Sequence, residues 1–207
     1  MIGAAVTGGV QLRHGLPPDQ RAAAAALYWQ AFGGKLGMVM GPEPRALAFL
    51  ARALSAEHVI VAQDPAGHLM GMAGFKTPSG SFAGGAPGDL RAAYGWLGGL
   101  WRAALLRMLS REVDNDRFLI DGICVQSGLR GQGLGAQLLE ALCAEARARG
   151  YDHIRLDVID TNWRARALYE RAGFVAIRSE PIGWLRYVFG FTATTTMVKP
   201  LARGGAG

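Results

Sequence analysis

"ICVQSGLRGQGLGAQLLEALCAEARARG", residues 123–150, runs from an apolar, strand-like segment through a glycine-rich loop into a helix striped with leucines. Four glycines fall within the eight positions 128–135. Each costs conformational entropy on folding, and a simple turn needs only one. A helix N-terminus, however, exposes unpaired N–H groups at the positive end of its dipole and attracts phosphate. Glycines ahead of it let the main chain close around an anion as a nest of donors. In "RGQGLG" (130–135), Gly131, Gly133 and Gly135 supply that bare backbone and Arg130 adds charge beside it. Leu134, Leu138 and Leu142 then share one helical face and would anchor the loop on a core. The stretch reads as a phosphate-binding loop.

The rest of the chain agrees with one globular domain and an anionic ligand. Its 207 residues are half hydrophobic and 18% charged, which excludes a disordered chain. A net charge of +6 and a pI near 9.8 favour anions. The basic residues are scattered, without the stripe that nucleic-acid binding normally shows, so nucleic acid is not expected as a partner. Cys124 and Cys143 form no C-x-x-C pair, and His14, His58, His68 and His153 lie apart, so no metal site is expected. The start shows no signal-peptide pattern, and the apolar stretch 92–109 is interrupted by Arg102 and Arg107. The expectation is a cytoplasmic protein with no membrane span.

Periodicity and turn residues outline the elements. Residues 10–13 read as a first strand, "PPDQRAAAAALYWQAF" as a helix broken by "GGK", and "PEPRALAFLARALS" as a second helix. "HVIVAQ" (58–63) and "HLMGMAGFK" (68–76) flank "DPAG" as a hairpin. Residues 77–112 read as an insertion, a turn-rich stretch and then a helix opening on Asp89, with three internal glycines that have no evident purpose. Its broad apolar face suits core packing first, the wall of a substrate pocket second, and attachment to a membrane surface last. Strands follow at 117–125 and 152–159, a helix at 162–173 stopped by Gly173, and late strands at "FVAIRS" and "ATTTMVKP".

Which phosphate ligand the loop takes depends on its surroundings. "GQGLGA" (131–136) also satisfies the permissive dinucleotide-binding pattern, with Asp157 at a suitable distance downstream. That pattern normally sits in the first strand–helix unit, whereas here only about a third of the chain remains after it. "V-x-x-x-x-RGQGLG-x-x-L" (125–138) resembles the acyl-CoA-binding signature of the GNAT acetyltransferase superfamily. "LDVIDTNWRARALYERAGF" (156–174) is similar to the next conserved segment of that family, a strand, an Asn, and a helix ending in "LYE-x-x-GF". The resemblance covers roughly residues 58–179.

That resemblance implies an α/β fold: a single GNAT-like domain over residues 1–207, its mixed, twisted central sheet flanked by helices. It implies an N-acetyltransferase that moves an acyl group directly from acetyl-CoA to a small-molecule or peptide amine. The diphosphate would meet Arg130, Gly131, Gln132, Gly133, Leu134, Gly135 and Ala136. Pantetheine would pair with the strand edge at Cys124 and Val125, and an N–H at Ile123 or Cys124 would face the thioester oxygen. Asn162 matches a position that hydrogen-bonds the cofactor, and it could equally cap its own helix. Tyr169 matches the general acid that protonates the leaving thiolate.

Asp121, which simple alternation puts on the face of Ile123 and Val125, is the first candidate for the base that takes the acceptor's proton. Histone-type members of the family carry a Glu two residues earlier, where this chain has Leu119. A structural or substrate-orienting role for Asp121 is therefore favoured over that of base, and His58 and Glu180 are weaker candidates for the base. Cys124, on a buried strand without a His/Asp constellation, reads as an inert small hydrophobe. Tyr28, Trp29, Phe32 and Lys35, with Trp96 and Trp101, could line an acceptor site for a partly apolar amine. Two other functions stay open: a non-catalytic acyl-CoA-binding regulatory module, and an NAD(P)-binding Rossmann-type domain. "ATTTMVKP" could support a homodimer.

Overall fold

The computed structural model describes residues 9–84, 87–109 and 117–201. Their strands form one mixed sheet in the order β1-β2-β3-β5-β6-β8-β7, with a short β4 attached to β3. The strands are β1 (Gln11–His14), β2 (Val59–Gln63), β3 (Leu69–Thr77), β4 (Gly80–Ser81), β5 (Phe118–Val125), β6 (His153–Ile159), β7 (Val175–Pro181) and β8 (Ala193–Pro200). The helices are α1 (Arg21–Met40), α2 (Glu43–Ala53), α3 (Pro87–Leu109), α4 (Leu134–Ala148), α5 (Trp163–Arg171) and the short α6 (Arg186–Phe189). Alternation along β2 separates two cores. Val59 and Val61 pack under α1, α2 and α6, while Ile60 and Ala62 pack with α4 and α5 residues on the other face.

The β2–β3 hairpin forms as its turn residues dictate, with Gly67 N–H donating to the Asp64 carbonyl at 2.9 Å. The expected break of α1 at "GGK" does not occur, and the helix continues to Met40. A Cβ on Gly33 would come within 2.8 Å of the Trp29 ring one turn earlier. That glycine makes room for an indole rather than ending the helix.

The 77–112 insertion is also different in detail. Thr77 still belongs to β3, β4 folds back on it, and α3 starts at Pro87; residues 85–86 and 110–116 lie outside the described ones. Within α3, Gly95 has φ 73° and ψ 179°, so two helical segments meet at a kink. A Cβ on Gly99 would lie 3.0 Å from the Arg91 backbone, which accounts for a second of the glycines as a close approach.

β8 lies between β6 and β7 and is paired on both sides. "ATTTMVKP" therefore has no free edge to offer a second subunit. β7 is the outer strand, and its Val175 and Ile177 are exposed.

The one parallel pairing positions the site. β5 and β6 pair only at Phe118↔Ile154 and Leu119↔Arg155, and beyond these the strands part. On its other side β5 stays paired with β3 through Val125, interrupted by a bulge where Gly74↔Gly122 is followed by Phe75↔Ile120. Asp121 is the extra residue.

Candidate active site

Past Leu119 the β6 side of β5 has no partner strand, so its main-chain groups there are open. Gln126 N–H donates to the Met70 carbonyl of β3 at 3.0 Å. In an antiparallel ladder residues alternate in the direction of their polar groups, so Cys124 also faces β3, while Ile123 and Val125 face the gap. The Val125 carbonyl accepts from Arg130 Nε at 3.2 Å, as a group outside the β3 ladder can. The gap-facing pair is therefore Ile123 and Val125, and Cys124 drops out of the donors expected from sequence.

At the end of this edge the loop turns through Ser127–Leu129 into Gly131 and Gly133, with φ of 81° and 85°, and α4 begins at Leu134. Left-handed backbone at two positions in three explains those two glycines. Gly135 has another reason: a Cβ there would touch Leu168 of α5 at 3.4 Å. Among the described residues, positions 131–135 donate no backbone hydrogen bond, so their N–H groups are available to an anion. Ala136 N–H, by contrast, donates to the Gly133 carbonyl at 3.0 Å. Ala136 thus leaves the expected phosphate set, because its donor closes the first turn. The Gln132 side chain bridges the loop to the Gly128 carbonyl at 3.0 Å, and Leu134, Leu138 and Leu142 are buried beneath.

Tyr169 comes from α5, across the gap. Its ring packs at 5.9 Å from Phe174, and it lies close enough to Cys124 for the two to interact electrostatically. Burial, with a smaller contribution from Cys124, pushes its phenol up to about 12. At neutral pH it therefore holds its proton, as a donor must. Burial also raises the Cys124 thiol to about 12, against a smaller opposing pull from Arg130. That leaves it an inert hydrophobe, as its strand position suggested. Asn162 caps α5, accepting from Ala165 N–H at a long 3.4 Å.

Asp121 departs from its expected face. The bulge rotates it away from Ile123 and Val125, which pack toward α4, and places it beside Tyr28, Ser81 and Ala83 on the α1 side. Burial raises the Tyr28 phenol well above its usual value, and the Asp121 charge adds to this. Phe32 closes the same corner, its ring 4.7 Å from that of Tyr28 and 2.9 Å from a Cβ built on Gly122.

The other candidates scatter. Trp29 packs into the α1 core, and the Lys35 side chain lies outside the described ones. Trp96 and Trp101 stand exposed on α3. His58 is buried among Ser55, Thr77 and Ser79, and Glu180 pairs with Arg178 on β7. Asp157 accepts from Thr196 Oγ1 at 2.5 Å and pairs with Arg155 at 3.2 Å, so it is engaged within the sheet and not toward the loop. Sequence reasoning missed the partners of Asp121, Ser81 and Ala83. The available signal was Gly122, since a lone glycine in a strand often marks a bulge.

A parted parallel pair, a glycine loop at the head of a helix and a buried tyrosine that holds its proton occur together in this α/β domain. Residues 22–174 match the Acetyltransferase (GNAT) family, and the chain belongs to that family. That family is one of acetyltransferases, and acetyl-CoA is the acyl donor it uses. Mycothiol acetyltransferase of Beutenbergia cavernae is 45% identical over 53 residues, 26% of this chain. The match spans only 18% of that relative's length.

Among solved structures, an acetyltransferase superposes with a TM-score of 0.61 at 21% identity, over 92% of this chain and 98% of its own. The putative acetyltransferase yncA from Salmonella typhimurium, solved with acetyl-CoA, gives 0.60 at 18% identity, over 97% and 98%. A GCN5-related N-acetyltransferase from Kribbella flavida gives 0.58 at 16%, over 93% and 98%. These likenesses establish the fold. With family membership they remove the Rossmann alternative, whose downstream acid is also taken up by Thr196 and Arg155. Among the described residues no helix is long and apolar enough to cross a membrane, and no cluster could hold a metal ion.

Proposed function

We propose that this enzyme transfers acetyl directly to a primary amine of a small molecule or peptide. The observation that carries the reading is the parting of β5 from β6 after Leu119, which leaves Ile123 and Val125 open between the loop and Tyr169. The N–H groups of Gly131 to Gly135 and the Arg130 guanidinium hold the diphosphate. Each charge-assisted bond contributes roughly 1.5–3 kcal/mol. The Ile123 carbonyl and the Val125 N–H extend the ladder onto pantetheine amides, the Val125 carbonyl being held by Arg130 Nε, and the Ile123 N–H meets the thioester oxygen. One such preorganised donor lowers the barrier by about 3–4 kcal/mol.

Acetyl-CoA supplies the activated acyl group when bound. Asp121 receives the acceptor's ammonium beside Tyr28 and takes one of its protons, so that the neutral amine can attack the thioester carbonyl. As the C–S bond breaks, Tyr169 gives its proton to the sulfur, and the second proton lost by the nitrogen restores Tyr169. The two free, buried cysteines fit a reducing compartment, and the cytoplasm is part of the same proposal. Of the two edge strands, β1 and β7, β7 carries the exposed Val175 and Ile177 and is the one that would pair a homodimer.

Thiol release from acetyl-CoA with tryptamine, spermidine and an alanyl tripeptide tests the reading. Release that depends on one of these amines supports it, and the aromatic corner of Tyr28 and Phe32 favours tryptamine. Tight acetyl-CoA binding with no amine-dependent release would instead indicate a binding module. Tyr169→Phe should lower kcat about a hundredfold or more and leave acetyl-CoA affinity within about twofold. Unchanged turnover would remove Tyr169 as the acid.

A further inference from the structure

The β4 turn holds one oxygen of Asp121 from two sides. Ser81 Oγ donates to Oδ2 at 2.8 Å, and Ala83 N–H donates to the same oxygen at 2.8 Å. Among the described residues Oδ1 takes no hydrogen bond. Bonds to an ionised oxygen are the strong kind, and two of them on one atom fix the carboxylate plane.

The turn that carries these donors is itself locked. A Cβ on Gly80 would lie 2.6 Å from the His58 ring, so the chain presses directly on that imidazole. Ser79 joins Thr77 at 2.8 Å and His58 at 3.4 Å. On the other side Phe82 is buried against Gly74, where a Cβ would fall 2.2 Å from its ring. Ser81 sits between two fixed neighbours and has little freedom to turn elsewhere. The edge of Tyr28 faces Phe82 at 6.1 Å, so the aromatic corner and the carboxylate share one support.

We infer that Ser81 is a positioning residue for acetyl transfer: with the Ala83 N–H it ties up Oδ2 of Asp121 and leaves Oδ1 as the oxygen that meets the acceptor's ammonium. The inference rests on the proposed role of Asp121 at the acceptor amine. It also assigns work to the segment between β3 and α3. This connection, longer than the β-hairpin needs, supplies both donors to the bulged residue of a different strand.

The test is a double-mutant cycle of Ser81→Ala and Asp121→Asn, using the best-acetylated amine among tryptamine, spermidine and the alanyl tripeptide at saturating acetyl-CoA. Ser81→Ala should raise the acceptor KM about tenfold while changing kcat less and leaving acetyl-CoA affinity and the melting temperature close to those of the parent. Ser81→Thr, which keeps the hydroxyl, should restore most of the loss. In the Asp121→Asn background, Ser81→Ala should add less than about twofold, because the charge it positions is gone. If Ser81→Ala does not fold, Ser81→Cys keeps the volume with a weaker donor and should show the same KM effect.

An unchanged acceptor KM overturns the inference, as does an equal loss with and without the Asp121 carboxylate. A parent enzyme that turns over the amine while Ser81→Ala behaves identically removes the role of Ser81 alone. A parent enzyme that releases no thiol with any of the amines removes the functional reading and this inference together.

Discussion

The 126–148 and 87–109 regions are built from similar residues and end up in opposite situations. Both combine closely spaced glycines with a leucine-rich helix. In the first, the positive-φ glycines stand ahead of the helix and its leucines are buried against the sheet. In the second, the positive-φ glycine lies inside the helix, and Leu97 and Leu100 are 77% and 62% exposed. α4 packs on β2, β3, β5 and β6, whereas α3 leans on α2 and α1 through Tyr94, Ala103, Leu105 and Leu106. The exposed tryptophans of α3 meet guanidinium groups instead of a core, with Arg91 Cζ 3.8 Å from the Trp96 centroid and Arg102 Cζ 4.2 Å from that of Trp101. A glycine-and-leucine composition thus acquires meaning only from the surface behind it.

The largest expected effect sets the two helices directly against each other. Leu138 is fully buried, and Leu138→Ala should cost about 2–5 kcal/mol of stability in denaturant unfolding. Leu97→Ala, on the exposed face of α3, should stay within about 0.5 kcal/mol. Equal losses would mean that α3 packs more tightly than its exposure indicates. The glycines offer a finer contrast. Gly133→Ala places a side chain in the left-handed region and should lose about 1–2 kcal/mol of stability. Gly95→Ala places one at φ 73° and ψ 179°, which only glycine ordinarily adopts, and should lose about 1–3 kcal/mol. Only Gly133→Ala should also weaken acetyl-CoA binding, about tenfold, since the nest must distort with it. Titration calorimetry on both variants decides this, and a comparable loss of affinity in Gly95→Ala would bring α3 into the cofactor site.

The same contrast explains what could be read in advance. The loop was legible because its chemistry is local: glycines, one arginine and a helix start lie within seven residues, and β6, α5 and β8 follow with regular periodicity. The identity of the gap-facing groups was not legible. Whether Ile123 or Cys124 turns toward the gap depends on the register between β3 and β5, a pairing of distant segments. Asp121 shows the limit most sharply. One inserted residue reverses its face, and its partners Ser81 and Ala83 come from some forty positions earlier. α1 runs past "GGK" for a comparable reason, since the glycine there answers to the bulk of Trp29 and not to its own backbone preference. Late in the chain, α6 and the turn before it carry no periodic signal long enough to announce them.

The smallest expected effect separates two roles within one residue of the loop region. Asn162 Oδ1 accepts from Ala165 N–H at 3.4 Å, long for such a bond, while among the described residues its amide nitrogen makes no hydrogen bond. Asn162→Ala removes both functions and should cost about 1 kcal/mol of stability, typical of a lost N-cap, together with some acetyl-CoA affinity. Asn162→Asp keeps the cap acceptor, and its charge suits a helix N-terminus, so stability should hold within about 0.5 kcal/mol. It also replaces a donor with an anion near the diphosphate site, so acetyl-CoA binding should weaken several-fold. If Asn162→Asp instead binds acetyl-CoA like the parent, capping is the whole of the residue's work, and the nest at Gly131–Gly135 holds the cofactor without help from α5.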